Sequence, residues 1–147
     1  MEKFKLVEIV TAEPVLVKLM NYSKEGKLDF KTSYWLKKLI DKLKPELEDY
    51  YANRKELFEK LGEAVKDEEE KETGEYRIVP ENQEKFQKYF NELLEVEVEL
   101  SNIRKFTLEE LEKVEGISID DISMFEAFIA EEKEPETERK KIKLSID

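Results

Sequence analysis

The sequence has neither cysteine nor histidine among its 147 residues. Without cysteine there is no disulfide framework, no thiolate metal ligand and no thiol nucleophile. Without histidine the commonest general base and the commonest neutral metal ligand are missing. The four glycines, Gly26, Gly62, Gly74 and Gly116, are isolated, so there is no glycine-rich phosphate loop. No apolar run approaches the roughly 18 to 20 residues of a membrane span. Met1-Glu2-Lys3 leads into a segment too short and too charged for a secretory leader. These absences lead to the expectation of a non-enzymatic, cytoplasmic protein with no cofactor, no metal and no membrane contact.

Charge is what the chain has in excess. Charged residues make up 43% and the net charge is −11, against roughly 25% charged residues in ordinary globular domains. A chain that polar suits an elongated helical shape with much of each helix facing water. Nucleic-acid binding through phosphates needs a basic patch. The longest basic cluster here is Arg139-Lys140-Lys141 with Lys143, in a segment read as a tail. Nucleic acid is therefore excluded as a partner, while an acidic mimic of nucleic acid stays open. Abundant Glu and Lys without Cys or His also fits a thermophilic source, or simply a helical protein rich in surface.

Along the chain, Phe4, Leu6 and Val10 alternate with charge, and Val7 and Ile9 fill the other face. This predicts a strand. Thr11 is then the candidate N-cap of a short helix with Pro14 in its first turn. The strongest signal follows. Leu36, Ile40, Leu43, Leu47, Tyr50, Arg54, Leu57, Leu61 and Ala64 recur at alternating spacings of four and three, which predicts one long amphipathic helix. Pro45 either kinks it near Asp41 or divides it into separate helices. Gly62 falls inside this helix and implies close packing. The charge run from Asp67 to Glu72 reads as its solvated end.

Tyr76 and Ile78 suggest a short extended piece. Pro80 opens a second helix, with Phe86, Phe90 and Leu93 inward, packing antiparallel on the Leu57–Leu61 end of the first. From Leu94 the period becomes two. Leu94, Val96, Val98 and Leu100 alternate with Glu95, Glu97 and Glu99, a half-buried strand that can pair with the N-terminal one. Thr107 and Glu110 have capping-box spacing, Gly116 suits a helix C′ position, and Asp120-Asp121 can cap a last helix bearing Ile122, Phe125, Phe128 and Ile129. The expected fold class is mainly helical α+β: a long kinked antiparallel helix hairpin with a small two- or three-stranded sheet. Residues 1–130 form one domain and 131–147 a flexible charged tail.

No catalytic residue, metal ligand or cofactor site stands out. Asp120 and Asp121 with Glu126 could hold a hard cation, but the spacing matches no calcium loop and capping explains both aspartates. The second helix is too short to cover the whole apolar stripe. Trp35, Leu36, Leu39, Ile40, Leu43 and Leu47 are therefore the candidate interface, with Trp35 its aromatic anchor. On this reading, Trp35→Ala with Leu43→Ala abolishes association and leaves helicity intact.

Several segments carry a resemblance: the N-terminal strand and short helix, Lys27 to Leu43 leading into a long Glu/Lys helix, Pro80-Glu-Asn-Gln-Glu-Lys-Phe, Asn91-Glu92-Leu93-Leu94 and the Glu-Val-Glu-Val strand. Over Ile9 to Phe128 this layout resembles a family of small, uncharacterised phage proteins from viruses of Gram-positive bacteria. The resemblance implies a phage product, in the host cytoplasm or the virion, and carries over no functional residue. The leading expectation is a protein–protein interaction protein, a virion or assembly component, acting on a protein partner or on itself. The alternative is a small inhibitor of a host enzyme that mimics nucleic acid through Glu95, Glu97 and Glu99. A carboxylate hydrolase needing Mg²⁺ is a third class.

Overall fold

The computed structural model describes residues 2–131. The tail expected at 131–147, with its basic cluster at 139–143, lies outside the described residues except for Glu131. Among the described residues the fold is mainly helical α+β, built on one long helix and two small antiparallel two-stranded sheets.

Strand β1 spans only Glu2–Lys5, and helix α1 follows at once over Leu6–Lys24. The strand expected to reach Val10 is therefore helix from Leu6. Leu6, Ile9, Ala12, Leu16 and Leu19 recur at three and four, and all are buried. Over five residues the apolar run at Leu6–Val10 satisfies a period of two as well as one of 3.6. Burial along the whole of α1 decides between them. The Lys5 N–H donates to Glu8 Oε1 at 2.8 Å and starts the helix. Thr11 is thus not a cap, and Pro14 lies in the helix interior.

Helix α2 runs over Phe30–Leu61, 32 residues, or about 48 Å at 1.5 Å per residue. Asp29 caps it, its Oδ1 accepting from the Thr32 N–H at 2.7 Å. The helix passes Pro45 unbroken. It ends before the predicted Ala64, because Gly62 turns the chain into a hairpin of β2 (Gly62–Lys66) and β3 (Glu72–Ile78). The charge run at 67–72 is accordingly not a helix end. Asp67 to Lys71 form the hairpin turn, where Asp67 Oδ1 accepts from the N–H groups of Glu69 and Lys71, both at 2.9 Å.

A 3-10 turn at Pro80–Asn82 leads into α3 (Gln83–Leu94), which returns along α2. Phe86 packs on Phe58 at 4.9 Å between ring centroids and Phe90 on Tyr50 at 6.3 Å, the antiparallel order that the sequence predicts. Strand β4 (Glu97–Leu100) begins later than Leu94, which α3 retains. It pairs antiparallel with β1, Val98 opposite Phe4.

The C-terminal segment closes the core. Thr107 and Glu110 make the predicted capping box at the start of α4 (Leu108–Glu112). Ser118, not the aspartate pair, caps α5 (Ile119–Met124), with Asp121 completing its box. Of the four residues expected on this helix only Ile122 lies within it: Phe125 is its C-cap, Phe128 sits on a 3-10 turn at Glu126–Phe128, stacked on Phe4 at 4.8 Å, and Ile129 follows that turn. Phe106, Phe125 and Phe128 are fully buried with Ile9, Leu19, Leu36, Leu39 and Leu43. Among the described residues no helix is long and apolar enough to cross a membrane.

Candidate functional site

The six residues of the candidate interface do not share one surface. Helices α1 and α2 lie antiparallel: Ser23 Oγ donates to Ser33 Oγ at 2.8 Å near one end, and the Tyr51 hydroxyl donates to Glu13 Oε1 near the other. Helix α1 and the C-terminal segment thereby cover the half of the stripe that the short α3 leaves bare. Leu36, Leu39 and Leu43 are 0%, 1% and 0% exposed. They are core, so the expectation of a free face there is corrected. Truncating Leu43 would open a cavity in the core rather than pull chains away from each other.

Ile40 and Leu47 flank this seam on the α1 side and are half-buried. They line a surface groove of ≈ 420 Å³ between α1 and α2. Leu16, Val17 and Met20 form the α1 wall, and Ile40, Leu43 and Leu47 the α2 wall. Glu13, Lys24, Lys44, Glu48 and Tyr51 make the rim. Val17 is 56% exposed, an apolar side chain held open to water. The Glu13 bond, followed by partial burial, raises the Tyr51 hydroxyl above its ordinary pKa. That fixes the phenol as a donor at one end of the groove.

Trp35 lies on the opposite flank. Five residues separate it from Ile40, about 140° around a helix with 3.6 residues per turn. The guanidinium of Arg104 stands 5.9 Å from its ring centroid, and the ammonium of Lys38 5.6 Å. Arg104 is held in turn by Glu110, so Trp35 belongs to a clasp between α2 and the C-terminal segment. Sequence pattern alone does not single out Val17 and Tyr51 as groove residues. The available signal is a valine on α1 outside the inward-facing set.

The other candidate groups are tied up locally. Asp121 Oδ2 accepts from Lys18 Nζ at 2.6 Å and from the Ser118 N–H at 2.9 Å. Lys18 and that backbone bond hold its carboxyl below the ordinary aspartate range. Among the described residues no group of three or more Asp or Glu side chains is placed to hold a metal ion. The acidic strand face is met by lysines of β1: Lys5 Nζ lies 2.9 Å from Glu95 and Lys3 Nζ 3.8 Å from Glu99.

No protein-family model, no curated protein and no solved structure matches this chain.

Proposed function

We propose that this chain is a non-enzymatic interaction protein that holds another polypeptide in the groove between α1 and α2. The phage resemblance favours a role in a virion or its assembly. One observation carries the reading. In a chain with 43% charged residues, Val17, Met20, Ile40 and Leu47 present apolar side chains on one open cleft, with the buried Leu16 and Leu43 beneath them. Apolar side chains left open on a charged protein are costly in water, and a partner offsets that cost by covering them. The mimic of nucleic acid is less favoured, because Lys3 and Lys5 interrupt its row of carboxylates.

A photo-reactive phenylalanine analogue at Val17, compared with one at Ile119, tests the reading. Both side chains are exposed, at 56% and 82%, so neither insertion disturbs the core. On irradiation of the purified chain and of extract from its source, the Val17 probe should give covalent protein–protein products and the Ile119 probe none. Equal, low yields from both positions overturn the assignment.

A further inference from the structure

The two ends of the groove carry opposite charge. The contacts of Ser23 with Ser33 and of Glu13 with Tyr51 set its direction: Lys24 marks one end, Glu13, Glu48 and Tyr51 the other, and Lys44 stands between. From Ile40 to Tyr51 the α2 wall extends about 16 Å at 1.5 Å per residue. Two cations and two carboxylates leave this rim without net charge, in a chain that carries −11 overall. The rim therefore adds no net repulsion between two copies that meet here.

A two-fold axis lying in the groove face, perpendicular to the helices, exchanges the two ends. It sets the Glu13–Glu48 end of one copy over the Lys24 end of the other, and brings the apolar centres around Val17, Met20 and Leu47 together. An interface between identical copies must be complementary to itself in this way. Two antiparallel helix pairs stacked face to face make a four-helix bundle, a packing with a well-filled core.

We propose that the occupant of the α1–α2 groove is a second copy of this chain, related by an antiparallel two-fold axis. This rests on the groove being an interaction site, and names its partner. The centre is apolar except for the exposed Lys44, and the oppositely charged ends set the orientation.

The natural chain has no cysteine, so Val17→Cys provides a single thiol at mid-groove. The expected mass of the unmodified protein by light scattering is twice the 17.5 kDa of the chain. A short bismaleimide should join two Val17→Cys copies and should not join two Ile119→Cys copies. Glu48→Lys and Lys24→Glu, both at exposed positions, should each weaken the dimer by tenfold or more. Mixing the two variants should restore it, because each altered charge then faces its opposite. Three results overturn the proposal in different ways. A monomer whose Val17 probe still captures another protein removes the second copy and keeps the interaction reading. A monomer whose Val17 probe captures nothing removes both. A dimer that the mixed variants fail to restore removes the antiparallel arrangement.

Discussion

Arg104 and Glu110 meet through two parallel hydrogen bonds, Nη1 to Oε1 at 2.9 Å and Nη2 to Oε2 at 2.8 Å. The same carboxylate accepts from the Thr107 N–H at 2.9 Å and from the Thr32 hydroxyl at 3.2 Å. One side chain thus caps α4, anchors α2 and holds the cation that lies over Trp35. Arg104 and the Thr107 backbone bond outweigh desolvation and lower the Glu110 carboxyl to about 2, from an ordinary 4.5.

A depressed carboxyl stabilises the folded state above its unfolded pKa, and the effect fades as pH falls through the folded value. The clasp should therefore be fully effective above about pH 4.5 and lost on acidification toward about 2. With the pair still 28% and 21% exposed, solvent screening leaves roughly 2 kcal/mol at neutral pH. Glu110→Gln should lower urea-unfolding stability by about that amount at pH 7. The wild-type and variant curves should converge near pH 2. A constant gap across the range would show that the carboxylate's charge is not what stabilises the clasp.

Leu43 and Val17 both line the groove, yet they answer to different physics. Leu43→Ala should cost about 2–5 kcal/mol, because a fully buried leucine leaves a cavity. Val17→Ser removes a side chain already 56% exposed and should change monomer stability by less than about 0.5 kcal/mol. Guanidinium unfolding at a dilution where any complex has dissociated separates the two. Equal losses would mean that Val17 is covered within the chain.

The contrast between these two residues also marks how far the sequence can be read. The stripe along α2 is legible because periodicity over four heptads needs no tertiary information. So are α3 with Phe86 and Phe90, the pairing of β4 with the N-terminus, and the Thr107–Glu110 box. Leu6–Val10 misleads because two periods fit a run that short, and burial along the whole of α1 chooses between them. The hairpin at 62–78 is only partly legible: Tyr76 and Ile78 mark the end of β3, but the strands are largely exposed, so little apolar alternation marks the rest. What covers Leu36, Leu39 and Leu43 depends on the path of α1 back along α2, which no local pattern records. The groove exists only once that path is taken.

Helices α1 and α2 each contain a proline that they tolerate without a break. Pro14 and Pro45 lack an N–H, so the carbonyls of Val10 and Asp41 lose their helical partners. Both prolines face solvent, where water can serve those oxygens. Pro45→Ala should restore the bond and raise stability by about 1–2 kcal/mol, which is less than the full helix penalty of proline because the unfolded chain also gains freedom. For a chain of this size that is a rise of about 2–4 °C in Tm per kcal/mol. Pro14→Ala should behave alike. A lower Tm would mean that the proline sets a bend on which the α1–α2 packing depends.

Gly62 marks where α2 becomes the hairpin, and there the backbone itself sets the limit. A Cβ added at this position would lie 2.7 Å from the carbonyl oxygens of both Arg77 and Phe58. Neither oxygen can step aside, since the Phe58 carbonyl accepts from the Gly62 N–H at the helix end and Arg77 sits opposite Glu63 in the strand ladder. Gly62→Ala should therefore cost about 2–3 kcal/mol through overpacking, and the damage should fall on the hairpin. Gly74 is a useful counterpart. Its φ of +85° disfavours a side chain, but nothing lies within 4 Å of the added Cβ, so Gly74→Ala should cost only about 1 kcal/mol of backbone strain. Hydrogen exchange followed by mass spectrometry should show residues 62–78 losing protection in Gly62→Ala while the amides of α1 keep theirs. If α1 loses protection to the same degree, the hairpin and the helix pair unfold as one cooperative unit, and the joint at Gly62 supports the whole α1–α2 packing.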